Sequence, residues 1–156
     1  MKKEKKVFLP LSIDVSEMKI LMVGGGRVAL HKLKTILRFT NRITVLALTH
    51  DPSLEALGVT LVRKEFEPGD LDGFGLVYAC TDNRETNRLI ADSAALRRIL
   101  CNVADDPELS GFISPAVYQK DNMSVSVSSG GMDVARSVKW RNRIKEIIEN
   151  DPAEWD

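Results

Sequence analysis

Three consecutive glycines, Gly24–Gly26, constrain the fold of this chain more than any other feature of its sequence. They directly follow the apolar run 19–23 and directly precede residues 28–39, where apolar side chains recur at helical spacing. A glycine turn between a strand and a helix is typical of the first crossover in a parallel sheet. We therefore expect an α/β fold built around this turn.

Strand-like and helix-like segments alternate over the first two thirds of the chain. In chain order they are 19–23, 28–39, 43–48, 52–57, 59–62, 76–80, 84–98 and 99–103. Runs that are apolar throughout, such as 76–80, are typical of strands buried on both faces. Because parallel strands are joined by crossover helices, this order predicts a Rossmann-type parallel sheet with helices on both faces.

The segment from Gly24 to Ala29 matches the dinucleotide-binding pattern G-x-G-x-x-A, in its expected place between strand and helix. Gly24 permits the tight turn, Gly26 lets the backbone approach a pyrophosphate, and the small Ala29 lets the helix pack on the sheet. The helix start offers free N–H groups and a positive dipole end to the phosphates. The alternative is a glycine-rich turn that binds nothing.

The carboxylate that usually binds the adenosine ribose, about 20 residues after the glycines, is missing from this chain. Asp51 is the nearest carboxylate, but it precedes Pro52 and is expected to cap a short helix. The ribose would then be bound by backbone groups and by the Thr49 hydroxyl. The residues alone therefore leave the choice between NAD and NADP open.

The pattern changes after about residue 112. Residues 113–119 and 123–128 flank a polar turn and predict a β-hairpin, whose second strand alternates apolar residues with serines. A basic helical stretch follows at 134–149. An isolated hairpin is marginally stable in water, so we expect it to form a homodimer through its apolar face.

These observations predict two domains. Residues 1–112 are expected to form the NAD-binding Rossmann domain. Residues 113–156 are expected to form a small dimerisation domain of a hairpin and a helix.

Two polar segments follow predicted strands and should lie at the carboxyl edge of the sheet, where open α/β sheets bind ligands. Thr81-Asp82-Asn83 would either face the cofactor or cap the next helix. Asp105 could accept a proton while hydride leaves to a nicotinamide ring. A turn residue is the alternative for Asp105, and turn chemistry is the interpretation of Asp106, which precedes Pro107.

Charge and cysteine content narrow the function classes. Lysine and arginine number 22, as do aspartate and glutamate, so the net charge of zero disfavours binding to nucleic acid or to an anionic membrane. No run approaches the ~20 apolar residues of a membrane span. Two cysteines match neither a disulfide framework nor a metal site, so we expect a cytoplasmic protein without a metal centre. The basic helix is either a solvated face or a site for a polyanionic ligand.

Four blocks of sequence together resemble the bifunctional precorrin-2 dehydrogenase/sirohydrochlorin ferrochelatase family, the dehydrogenase module of sirohaem synthases. The blocks are Val23–Ala29 with Lys32, Ala79–Asn83 with Asn87, Cys101–Asp105, and Ser124–Gly131. The resemblance implies NAD-dependent oxidation of precorrin-2 to sirohydrochlorin by a homodimer. It also implies that ferrous iron can be a substrate, inserted into sirohydrochlorin and held by the tetrapyrrole nitrogens.

The resemblance assigns roles residue by residue. Asp105 is the implied catalytic residue for both reactions. The implied cofactor-binding residues are Gly24, Gly25, Gly26, Arg27, Val28, Leu48, Thr49, Thr81 and Asp82. The expected substrate-binding residues are Asn102, Ser128, Ser129 and Gly130, with Arg136, Lys139 and Arg141 meeting the carboxylates at the rim of precorrin-2.

This chain departs from the family pattern in three places. It has His31 where arginine is common, Met132–Arg136 replaces the usual segment after the glycines, and its helical C-terminal region is shorter than in longer members. The shorter C-terminal region motivates an alternative from another class, an NAD-sensing Rossmann module without catalysis.

Overall fold

The structure, a computed structural model, describes residues 6–155 and contains a five-stranded sheet and a two-stranded sheet. The strands are β1 Ile20–Val23, β2 Ile43–Leu46, β3 Thr60–Val62, β4 Leu76–Ala79, β5 Leu100–Val103, β6 Ala116–Lys120 and β7 Met123–Val127. The α-helices are α1 Arg27–Ile36, α2 Arg84–Leu96 and α3 Val134–Asn150. Short 3₁₀ helices occupy Pro52–Leu57, Pro68–Leu71 and Pro152–Glu154.

The five-stranded sheet is parallel throughout, with the order β3-β2-β1-β4-β5. The order reverses between β1 and β4, which is the switch point where such sheets bind ligands at the carboxyl ends of their strands. The predicted Rossmann-type architecture is therefore confirmed.

Both faces of this sheet are covered by apolar side chains, because alternate residues of a strand point to opposite faces. Leu21 and Val23 of β1 lie in the core beneath α2, whereas Ile20 and Met22 lie in the core beneath α1. Ala29 of α1 is fully buried in the second core, as its small size predicted. Burial on two sides explains why these strands are apolar throughout.

Contacts divide the chain into two compact units. One unit is Leu9–Phe112, which contains the parallel sheet, and the other contains residues 6–8 and 113–155. Among residues 6–155, none of the helices is both long and apolar enough to cross a membrane.

The second unit packs α3 against the β6–β7 hairpin. Lys120 pairs with Met123 across the hairpin turn, where Asp121 has a left-handed φ of 52°. The Arg141 guanidinium donates to the carbonyl oxygen of Val117 at 2.9 Å and so ties α3 to β6.

Several element ends differ from the predicted ones. The second strand ends at Leu46 rather than at residue 48, and the helix predicted over 28–39 ends at Ile36. The short helix after Asp51 is a 3₁₀ helix, and Asp51 caps it as predicted, its Oδ1 accepting from the Ser53 N–H at 2.9 Å.

We predict that both cysteine thiols resist alkylation in the folded protein. The pKa of Cys80 is raised to about 12, and so is the pKa of Cys101. In both cases the main cause is burial, so neither thiol ionises near neutral pH. Iodoacetamide at pH 8 should label less than about a tenth of the thiols before denaturant is added, and both after it, as read by mass spectrometry.

The same burial makes stability depend on pH. An unfolded thiol ionises near pH 8.5, so this contribution to stability is complete below that pH and is lost as the pH rises toward about 12. Rapid labelling of the native protein at pH 8 would contradict the packing of these thiols.

Candidate active site

Three loops meet at the glycine turn, at the carboxyl edge of the sheet. The Gly24 N–H donates to the Leu46 carbonyl at 2.9 Å, and the Cys80 N–H donates to the Val23 carbonyl at 2.7 Å. The Asp51 N–H donates to the Gly25 carbonyl at 2.7 Å. These bonds bring the loops after β1, β2 and β4 together at the switch point of the sheet.

Two of the three glycines are required by the fold itself. Gly24 has a left-handed φ of 115°, and a Cβ there would lie 2.4 Å from the Cys80 carbonyl oxygen. A Cβ at Gly25 would lie 2.5 Å from the Thr49 carbonyl oxygen. Any side chain at either position would push apart the loops that form the edge.

Gly26 is different, because the protein leaves space around it. Its backbone is extended, which any residue can adopt, and within the described chain a Cβ there would meet no atom within 4 Å. Gly26 is also the N-cap of α1, whose first turn has no acidic residue and no side-chain cap. Free N–H groups behind an open space fit a pyrophosphate, which needs close approach to a helix start.

The remaining predicted cofactor residues lie on the loops that this turn brings together. Arg27 and Val28 form the exposed first turn of α1. Leu48 and Thr49 are exposed on the loop after β2, which contacts Gly25. Asp51 is committed to its cap, and its hydrogen bonds from Ser53 hold its pKa below the usual value. Asp51 is therefore not the missing ribose carboxylate.

A buried asparagine that the sequence analysis gave no role shapes the loop after β4. Asn87 of α2 accepts from the Thr81 hydroxyl at 2.7 Å through Oδ1, and its Nδ2 donates to the Thr81 carbonyl at 3.0 Å. Asn83 caps α2 by accepting from the Thr86 N–H at 3.0 Å. Thr81 and Asn83 thus fix the loop beside Gly24, while Asp82 stays exposed.

Asp105 follows β5 at the same edge. The preceding residue, Ala104, donates its N–H to the Ala79 carbonyl at 2.9 Å, which joins this loop to the end of β4. Asp105 has a left-handed φ of 60°, and its exposed carboxylate accepts no hydrogen bond from residues 6–155. Aspartate tolerates this backbone conformation better than most residues do. Asp106 instead accepts from the Leu109 N–H at 3.2 Å, which confirms its interpretation as a turn residue.

Asn102 lies on β5, shortly before this edge of the sheet, and its side chain is buried. It is 4% exposed, and its Nδ2 donates to the Phe112 carbonyl at 3.0 Å. Its Oδ1 is buried and has no hydrogen-bond partner in the described part of the chain. A buried acceptor without a donor is costly and points to a missing polar partner.

The predicted substrate residues of the second unit form the entry to α3. Ser128 accepts from the Gly130 N–H at 3.1 Å, and Ser129 accepts from the Asp133 N–H at 2.8 Å. Arg136 lies with its guanidinium 5.2 Å from the centre of the Trp140 ring.

The other two predicted substrate-binding cations of α3 differ in their surroundings. Lys139 is exposed in a shallow groove along the helix, whereas Arg141 is half-buried by its bond to β6. Of the described residues, no three histidine, cysteine or acidic side chains are grouped so that they could hold a metal ion.

Comparison with known protein families identifies the family of this chain. The family model NAD_binding_7, with the description "Putative NAD(P)-binding", matches residues 11–116. The chain belongs to this NAD(P)-binding family. The predicted NAD cofactor agrees with the family.

Curated relatives agree with the resemblance noted above. Siroheme synthase 1 of Aeromonas salmonicida (strain A449) is 40% identical over 145 residues, covering 90% of this chain and 31% of the relative. Siroheme synthase of Enterobacter sp. (strain 638) is 35% identical over 144 residues, covering 90% of this chain and 32% of the relative. The chain spans about a third of the length of the curated relatives it matches.

A solved structure agrees with the fold. SirC, precorrin-2 dehydrogenase, matches with a TM-score of 0.72 and 21% identity, covering 92% of this chain and 70% of that chain. The likeness extends over the parallel sheet and the smaller unit.

Replacing the glycines one at a time should separate folding from cofactor binding. Gly24→Ala forces a left-handed alanine against the Cys80 carbonyl, so the free energy of unfolding should fall by about 1–3 kcal/mol or more. Gly26→Ala should change stability by less than about 1 kcal/mol. It should weaken NAD binding about tenfold or more, because its methyl group fills the space before the helix.

Thermal melts and titration calorimetry with NAD check the two expectations. Wild-type NAD affinity in Gly26→Ala would refute the placement of the pyrophosphate.

Proposed function

We propose that this chain is an NAD-dependent dehydrogenase that oxidises precorrin-2 to sirohydrochlorin. The observation that carries the proposal is the position of Asp105 at the same sheet edge as the glycine turn, joined to it through the end of β4. The identity to siroheme synthases supports the choice of substrate. The reaction would take place in the cytoplasm, where the two buried thiols stay reduced.

Different residues of this chain would bind the cofactor and accept the proton. The backbone of Gly24–Gly26 and the start of α1 would hold the pyrophosphate, and the Leu48–Thr49 loop would bind the ribose. When bound, NAD supplies the nicotinamide ring that accepts the hydride. The reaction also releases a proton from the macrocycle, and the exposed Asp105 carboxylate would accept it at Oδ. A general base at this position needs no metal.

Cations of α3 would contribute to substrate binding. Arg136 and Lys139 are exposed, and neither has a carboxylate oxygen within 4.0 Å among residues 6–155. Both are therefore available to bind carboxylates, which is the role that the sequence predicts for them and for the turn at Ser128–Gly130. Arg141 already donates a hydrogen bond to β6 and would contribute less to substrate binding.

We propose ferrous iron as a further substrate of the same site. Inserting Fe²⁺ into sirohydrochlorin displaces pyrrole N–H protons, and Asp105 could accept these as well. Incubation with sirohydrochlorin and ferrous or cobalt ion tests this, and loss of insertion in Asp105→Asn would support a shared base. NAD binding without any turnover would instead indicate the NAD-sensing module.

The role of Asp105 leads to a specific prediction. Asp105→Asn keeps a residue type that tolerates left-handed backbone but removes the basic carboxylate. It should lower kcat for precorrin-2 oxidation by roughly 10²–10⁴-fold and leave the NAD dissociation constant unchanged. Asp106→Asn is the matched control, because an amide oxygen can still accept from the Leu109 N–H. Normal turnover in Asp105→Asn would show that water or a substrate carboxylate takes the proton.

We also propose that the chain is a homodimer formed by its second unit, residues 6–8 and 113–155, which contains most of the dimerisation domain predicted over 113–156. This unit leaves large apolar side chains exposed, namely Met123, Met132, Val134, Trp140 and Ile147. Met123 is 68% exposed at the start of β7. A second copy of the same surface would cover such side chains symmetrically.

Light scattering at micromolar concentration should therefore report a dimer. Met123→Asp should shift the protein toward monomer, because a charge would be buried at the interface. Ser124→Asp is the control, since alternate residues of a strand point to opposite faces. A monomeric wild type, or equal effects of the two variants, would contradict the proposed surface.

A further inference from the structure

Lys32 differs from the other basic residues of α1. Arg27 and Lys34 are exposed, whereas Lys32 is half-buried with its ammonium 5.9 Å from the centre of the Tyr78 ring. No carboxylate oxygen of the described residues lies within 4.0 Å of that ammonium. An aromatic face contributes only about 0.5–2 kcal/mol to holding a cation. Lys32 is therefore a partly desolvated charge without a counter-ion.

The Tyr78 ring beneath Lys32 is buried. Tyr78 pairs in register with Asn102 on the neighbouring strand, and it meets the Phe112 ring edge-on at 5.3 Å. Asn102 in turn donates to the Phe112 carbonyl. This cluster thus contains a cation without an anion and, at the buried Oδ1 of Asn102, an acceptor without a donor. The cation without an anion indicates an anionic ligand, whereas the Oδ1 of Asn102 needs a donor, which a carboxylate does not supply.

The position of Lys32 favours the substrate over the cofactor phosphates. The pyrophosphate position lies at the start of α1, whereas Lys32 is five residues further along the helix, about 7.5 Å. Its ammonium lies over β4, and helical side chains lean toward the N-terminal end, here the carboxyl edge of the sheet. Burial is the main influence on the pKa of the Cys80 thiol, but Lys32 lowers that pKa and Asp105 raises it. Both charges are therefore near the same sulfur.

We propose that Lys32 binds a carboxylate of the tetrapyrrole beside Asp105 and so sets the orientation of the macrocycle for oxidation. The inference rests on the proposed dehydrogenase function. A half-buried ammonium attracts a carboxylate more strongly than a fully exposed one, because less water screens the pair. Contact with the Tyr78 ring favours this position of the ammonium, so Lys32 can favour one orientation of a substrate that carries many carboxylates.

Lys32→Gln tests the proposal, with Lys34→Gln on the same helix as the matched control. Lys32→Gln should raise KM for precorrin-2 by about 10- to 100-fold, the loss expected for one charge-assisted hydrogen bond. The effect should shrink at high salt, and kcat and the NAD dissociation constant should stay within about twofold of wild type. Lys32→Arg should restore most of the loss, whereas Lys34→Gln should behave as wild type.

Binding provides a measurement that does not depend on turnover. The dissociation constant of sirohydrochlorin, followed by its visible absorbance without NAD, should rise by the same factor in Lys32→Gln. Thermal melts check folding, and Lys32→Met, which keeps the stem over the ring, replaces the glutamine variant if that variant unfolds.

Three results would overturn the role of Lys32. Weaker NAD binding by a similar factor would place Lys32 on a cofactor phosphate. Unchanged KM and unchanged sirohydrochlorin binding would make it a packing residue, and lower kcat at unchanged KM would give it a role in the chemistry instead. If wild-type protein neither turns over precorrin-2 nor binds sirohydrochlorin, the dehydrogenase proposal itself fails, and the Lys32 inference fails with it.

Discussion

The contact of Gly24 with the Cys80–Thr81 peptide is the constraint on which the site depends. A Cβ at Gly24 would lie 2.4 Å from the Cys80 carbonyl oxygen, so only a residue without a side chain lets the ends of β1 and β4 meet. Gly25 makes the equivalent close approach to the loop after β2. Because these loops close around the turn, the start of α1 is left facing open space at the switch point of the sheet.

The glycine motif therefore combines two physical requirements. Gly24 and Gly25 allow the protein to pack against itself, whereas Gly26 satisfies no packing need within the described chain and leaves space for a ligand. The same edge carries Asp105, which has left-handed backbone and an exposed carboxylate, whereas the neighbouring Asp106 carboxylate accepts from the Leu109 N–H. The proposed sites of cofactor binding and proton transfer thus lie at one edge of the sheet, joined by backbone hydrogen bonds between the ends of β1, β4 and β5.

The sequence predicted this architecture because strands buried on two faces are apolar throughout, as in 76–80. The ends of the strands were predicted less well. β2 ends at Leu46, whose carbonyl accepts a hydrogen bond from the Gly24 N–H. The local sequence pattern does not predict that bond, because it joins two separate segments. Contacts between distant segments were also beyond prediction. The ammonium of Lys32 over Tyr78 joins positions that are close only after folding.

The most direct test of the account is a stoichiometry measurement on the wild-type protein. Purified protein is mixed without oxygen with precorrin-2 and NAD, and NADH and sirohydrochlorin are followed together by absorbance. The account predicts that the two products form in equal amounts and at the same rate. NAD bound with ordinary affinity, but with no NADH formed while precorrin-2 remains unchanged, would contradict the account and leave the chain as a binding module.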